Sequence, residues 1–101
     1  MRTYELMMIT RGLLDETAVS ATVDRFTKLI GDQGGSVERV DHWGKRPFAY
    51  EIDHMTDGYY TVVDLRIDSP GLAEVERQLR LTDEVVRHKV VRPGVRVKRV
   101  S

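Results

Sequence analysis

Trp43-Gly44-Lys45-Arg46-Pro47-Phe48-Ala49-Tyr50-Glu51-Ile52 is the stretch from which the rest of the chain is read. Strand side chains repeat every two residues, so an extended backbone here places Phe48, Tyr50 and Ile52 on one side. Lys45 and Arg46 come just before them, where they can meet phosphate or a charged partner without entering a cleft. A glycine bend, two adjacent cations and an alternating aromatic run are an unusual mixture for a segment that only fills a core. They predict a surface that holds something rather than one that transforms it. Proline cannot donate to a sheet ladder, so Gly44 and Pro47 also predict a strand that is bent or bulged and lies at a sheet edge.

Working outward, residues 36–53 read as one long strand, residues 54–58 as a turn, and residues 59–68 as the returning strand. Tyr59, Thr61, Val63, Leu65 and Ile67 fall on one face of that second member. Upstream, residues 3–10 alternate with Tyr4, Leu6 and Met8 on one face. Residues 15–32 carry Val19, Val23, Phe26 and Ile30 at helical spacing, and Gly34-Gly35 stops the helix. Downstream, Ser69-Pro70 is a helix start signal, because serine can accept a bond from an orphan amide and proline tolerates the first turn. Leu72, Val75 and Leu79 form the buried stripe of this second helix, which runs to about Leu81, and residues 85–92 alternate again before Pro93-Gly94. The order strand, helix, strand, strand, helix, strand folds into an α+β ferredoxin-like βαββαβ sandwich. It has a four-stranded antiparallel sheet with two helices on one face. Residues 1–92 make that single domain and residues 93–101 a short basic tail. By parity Met7, Ile9, Tyr60 and Val62 look out from the uncovered sheet face, where exposed apolar and aromatic groups mark a surface for protein or for stacked bases.

A chain of 101 residues buries about two thirds of its unfolded surface and folds without staples. It has no cysteine, which excludes disulfides, thiolate metal sites and cysteine nucleophiles and is compatible with the reducing cytosol. No apolar run reaches the length of a signal peptide or a membrane span. The formal net charge is zero, which argues against coating nucleic acid through bulk charge, but the distribution is uneven. All sixteen carboxylates lie in the first eighty-six residues, alongside ten cations. The remainder holds Arg87, Lys89, Arg92, Arg96, Lys98 and Arg99 and no carboxylate. An acidic body with a basic end points to a polyanion at one surface and a basic protein at another.

Catalytic chemistry finds little to work with. His42, His54 and His88 show no metal-ligand spacing, and read as loop or strand residues; there is no nucleophile elbow and no phosphate-cradling glycine loop. No enzyme activity, metal or cofactor is expected. Arg11-Gly12-Leu13-Leu14 is similar to the glycine-leucine loop of the ACT domains, and keeps an ACT-like amino-acid-sensing module as the alternative function. A dimeric-barrel enzyme is a third reading, which needs a cavity between two open sheet faces. The stronger signal is basic. Arg2 on the first strand and Arg87, Lys89 and Arg92 on the fourth come from strands that pair in this topology, and cations there meet phosphates in a salt-sensitive way. Tyr4 and Tyr50 are candidates to stack if exposed, with core packing the readier fate of Tyr4.

Four blocks together resemble the family of bacterial small-subunit ribosomal protein number six. They are Met1-Arg2-x-Tyr4-Glu5, Gly44-x-Arg46-x-Phe48-Ala49-Tyr50-x-Ile52, Gly58-Tyr59-Tyr60, and Leu79-Arg80-Leu81-x-Asp83-x-Val85-x-Arg87-x-x-Val90-Val91. The resemblance covers nearly the whole chain. It implies a ferredoxin-like protein, monomeric when free, on the platform of the small ribosomal subunit in the cytoplasm. It also implies binding to the central domain of small-subunit ribosomal RNA jointly with small-subunit ribosomal protein number eighteen. On this comparison Arg46, Phe48 and Tyr50 face the partner protein, while Arg2, Arg87, Lys89 and Arg92 face RNA. Phe48 stands where the family signature more often has leucine, and Pro47 removes an amide from the strand.

Overall fold

The computed structural model describes residues 1–52 and 54–92. The expected basic tail over 93–101, and Asp53, lie outside the described residues. The elements follow as β1 (Arg2–Arg11), α1 (Glu16–Asp32), β2 (Ser36–Ile52), β3 (Met55–Ile67), α2 (Ser69–Leu81) and β4 (Val85–Val91). The strands form one sheet in the order β2-β3-β1-β4 with every pairing antiparallel, the ferredoxin-like arrangement expected from the element order.

Periodicity sets the core. Tyr4, Leu6 and Met8 of β1 and Val63, Leu65 and Ile67 of β3 share the face covered by the helices. There they close on Val19, Val23, Phe26 and Ile30 of α1 and on Val75 and Leu79 of α2. Burying a side chain of this size stabilises the fold by about 1.5–3 kcal/mol. Tyr4 is therefore a core residue rather than a stacking group. Asp15 caps α1 by accepting from Ala18 N at 2.7 Å. At the other end Gly34 N donates to Gly31 O and Gly35 N to Ile30 O, the paired bonds of a Schellman ending.

Two boundaries differ from expectation. α2 is capped by Asp68, whose Oδ1 accepts from Gly71 N at 2.9 Å, and Ser69 is already helical. A carboxylate is as good a cap as a hydroxyl, so the aspartate one residue earlier competes successfully for the orphan amide. The turn expected over 54–58 is also shorter. Residues 55–58 belong to β3, with Met55 opposite Ile52, Asp57 opposite Pro47 and Gly58 opposite Arg46. His54 reverses the chain at φ 65°, in the left-handed region. Since β1 ends at Arg11 opposite Gly58, the β2–β3 ribbon runs on past its neighbour.

Candidate nucleic-acid and partner interface

Cross-strand register assembles the open face into rows. Asp41 of β2, Val62 of β3, Met7 of β1 and Lys89 of β4 stand side by side, and the next row runs Gly44, Tyr60, Ile9, Arg87. Residues opposite one another in a sheet point to the same side, so Lys89 and Arg87 border an apolar strip made by Val62, Met7, Tyr60 and Ile9. Two carboxylates close the lower end, where Asp64 lies opposite Glu5. Met7, Ile9 and Tyr60 are half-buried. Val62, expected to be open to solvent, is only 3% exposed: a short side chain in mid-sheet is overtopped by longer neighbours.

β2 departs from simple alternation three times, with register shifts between Val37 and Arg39, His42 and Gly44, and Pro47 and Ile52. The middle shift depends on Gly44 at φ 86°, a conformation that a side chain resists. The bulge lets Trp43 stack on Tyr60, centroids 6.4 Å apart and planes within 8°, while Phe48 meets the same tyrosine edge-on at 6.3 Å. The Arg46 guanidinium lies 5.6 Å over the Trp43 ring. The Trp43 indole N–H donates to Asp41 Oδ2 at 3.2 Å, and Arg39 approaches the same carboxylate at 3.6 Å. Cation, indole, phenol and benzyl thus form a single ladder on the open face, stiffened by ring contacts each worth about 0.5–1.5 kcal/mol.

The expected site residues divide. Arg46 and Phe48 meet in this ladder. Beyond the shift after Pro47, Tyr50 lies out on the ribbon, 81% exposed. Arg87 and Lys89 are exposed and adjacent on the open face. Arg2 is exposed, but it lies opposite Ile67 and so shares the helix-side alternation of Tyr4, Leu6 and Met8. Among the described residues the β1–β4 pairing spans Glu5 to Thr10, and Arg92 is exposed one residue past the end of β4. The sequence placed Tyr60 on the open face but did not group it with Arg46 and Phe48, because its contact with Trp43 arises at the bulge. His88, read as a strand residue, faces α2 with Nε2 3.1 Å from Glu76 Oε1. Among the described residues no group of three or more histidines and carboxylates is placed to hold a metal. None of their helices is long and apolar enough to cross a membrane.

The domain is ferredoxin-like, and its open sheet face carries an aromatic ladder bordered by cations. The family model described as Ribosomal protein S6 matches residues 3–92, and the chain belongs to that family. Its relatives include small ribosomal subunit protein bS6 of Salinispora arenicola, 49% identical over 95% of this chain and all of that protein. The same protein of Thermobifida fusca is 44% identical over 94% of this chain and 99% of its own length. The crystal structure of 30S ribosomal protein S6 from Thermotoga maritima superposes with a TM-score of 0.87. It is 35% identical and covers 92% of this chain and 88% of that one. These relatives are ribosomal proteins and not enzymes, and the family assignment displaces the amino-acid-sensing reading of residues 11–14. In that loop Leu13 is 98% exposed.

Proposed function

We propose that this ribosomal protein of the small subunit docks a basic partner on its β2 edge and open sheet face, and binds the central domain of small-subunit ribosomal RNA through its β4 border. The partner implied by the family is small-subunit ribosomal protein number eighteen. Arg46, Phe48 and Tyr50 contact it; Arg87 and Lys89 meet phosphates, with Arg2 and Arg92 flanking them. The observation that carries the reading is the continuity of the two rows, in which apolar and aromatic groups grade directly into Lys89 and Arg87. A protein lying on the apolar strip therefore lies beside the same cations that reach RNA, and the two proteins present one composite surface.

No bond is made or broken; the action is thermodynamic. If the partner raises the affinity for RNA, RNA raises the affinity for the partner by the same factor. RNA affinity measured with and without the partner across a salt series tests this. The partner is expected to tighten binding at least about tenfold, a coupling of about 1.4 kcal/mol, and to steepen the salt dependence. Equal affinities, or a flat salt response, sink the reading.

A further inference from the structure

The open face leaves one feature unused. On the opposite side of the β2 edge, a cleft of about 300 Å³ separates the first turns of α1 from the bulge of β2. Glu16 and Val19 wall it on the helix; His42, Trp43, Tyr59 and Thr61 wall it on the sheet. We propose that this cleft receives the side chain of an arginine or lysine from a polypeptide lying along β2. The inference rests on the reading that a basic protein binds this edge.

Three observations select that occupant. First, charge: Lys45, opposite Tyr59 on the cleft side of the sheet, is already answered by Asp57 at 3.8 Å, whereas the exposed Glu16 carboxylate has no ion pair among the described residues. Arg46, opposite Gly58, belongs to the other face. The charge left unanswered at the cleft is negative, which repels phosphate and attracts a cation. Second, the walls: Val19 and the ring of Tyr59 suit an aliphatic stem. Lys45 Nζ, 5.8 Å from the Tyr59 centroid, already shows that ring in cation-binding geometry. Third, access: among the described residues β2 is the outermost strand and one side of its backbone has no strand partner, so an extended polypeptide can lie against it. The volume is at the lower limit of small-molecule sites and admits one long side chain.

Trp43, the sole tryptophan, edges the cleft from the bulge while its ring stacks on Tyr60, so its fluorescence reports on the bulge and the neighbouring amides report on the cleft. The whole chain is titrated with N-acetylarginine methylamide, with its uncharged citrulline counterpart and with uridine monophosphate, followed by indole fluorescence and by the amide signals of Gly44 and Thr61. Saturable binding of the arginine compound is expected, with a dissociation constant on the order of 1–10 mM, weakened about fivefold by Glu16→Gln. Failure to saturate, equal binding of the citrulline compound, or preference for the nucleotide overturns the proposal. In a second arm the partner protein is titrated into the wild type and Glu16→Lys, with thermal melting as the check that the variant is folded. About tenfold weaker binding supports the cleft as an anchor. Unchanged affinity overturns it and leaves the proposed function standing, while a wild type that binds no partner overturns the proposed function itself.

Discussion

The β2 edge is seventeen residues long, shifts register three times, and carries a glycine at φ 86° and a proline. The opposite edge, β4, is seven residues long and shifts once against β1. It is tied to the helix layer by His88 on Glu76. The contrast separates two ways of binding. An irregular edge resists pairing with arbitrary strands and presents side chains in an arrangement that suits one shape, here the ladder from Arg46 to Phe48. A short regular edge holds point charges at fixed spacing, which is enough for phosphates, whose contacts position rather than discriminate. On the proposed function, shape recognition falls to β2 and charge recognition to β4.

The hardest blow to this contrast falls where the ribbon crosses β1. A Cβ on Gly58 would lie 2.8 Å from Thr10 O, 2.8 Å from Ile9 Cγ2 and 2.9 Å from Phe48 Cζ. The backbone oxygen cannot retreat without opening the β1–β3 ladder. Gly58→Ala is therefore expected to destabilise the fold by about 2–3 kcal/mol, read as a lower urea midpoint at unchanged m. An unchanged midpoint would mean that the ribbon swings free of β1, and that its shape is not fixed by the sheet.

The next two changes set the edges against each other. Arg46→Glu removes the cation that caps the Trp43 ring and sets a carboxylate against the electron-rich face of that indole, so the ladder loses its shape although the new charge does not itself repel a basic partner. About thirtyfold weaker partner binding is expected, with the melting temperature nearly unchanged. Arg87→Glu should instead leave partner binding in place, weaken RNA binding about tenfold at low salt, and lower the salt slope by about one. Calorimetry with each ligand on both variants sharpens the comparison. If each variant harms both ligands equally, the two edges act as one site and the division fails.

The sequence carried most of the architecture because two periods, 2 and 3.6, are written without interruption in residues 3–10, 15–32 and 59–68. Each buries one face against the others, leaving few ways to assemble them. What it carried poorly lies where backbone geometry breaks the period. The register shift between Pro47 and Ile52 was not written in the alternation of Phe48 and Tyr50, and Gly58 read as a turn residue when close approach is what it supplies. Arg2 followed the same pattern: strand adjacency brought it toward β4, but alternation turned it to the helix side. The placement of Arg87 and Lys89 together on one face was legible because β4 is regular from Arg87 to Val91. The Glu16 cleft was not, since no local pattern records how a helix turn sits across a bulge.

The smallest expected effect tests whether β4 acts through its own cations or through the helix behind it. On α2, Arg77 donates to both oxygens of Glu74, at 2.9 and 2.8 Å, and Gln78 Nε2 donates at 3.1 Å. These bonds, the Arg77 contact foremost, hold the Glu74 carboxyl at about 2, below its ordinary 4.5. A carboxyl lowered on folding stabilises the protein above its unfolded value and loses that contribution as pH falls from 4.5 toward 2. Wild type and Glu74→Gln should therefore differ slightly in melting temperature at pH 7 and converge as the acid limb is descended. Solvent around this exposed pair keeps the difference small. RNA affinity at pH 7 should be the same for both. A loss of RNA binding in Glu74→Gln would show that the set of α2 is transmitted into β4, and the charge edge would then depend on shape as much as the other does.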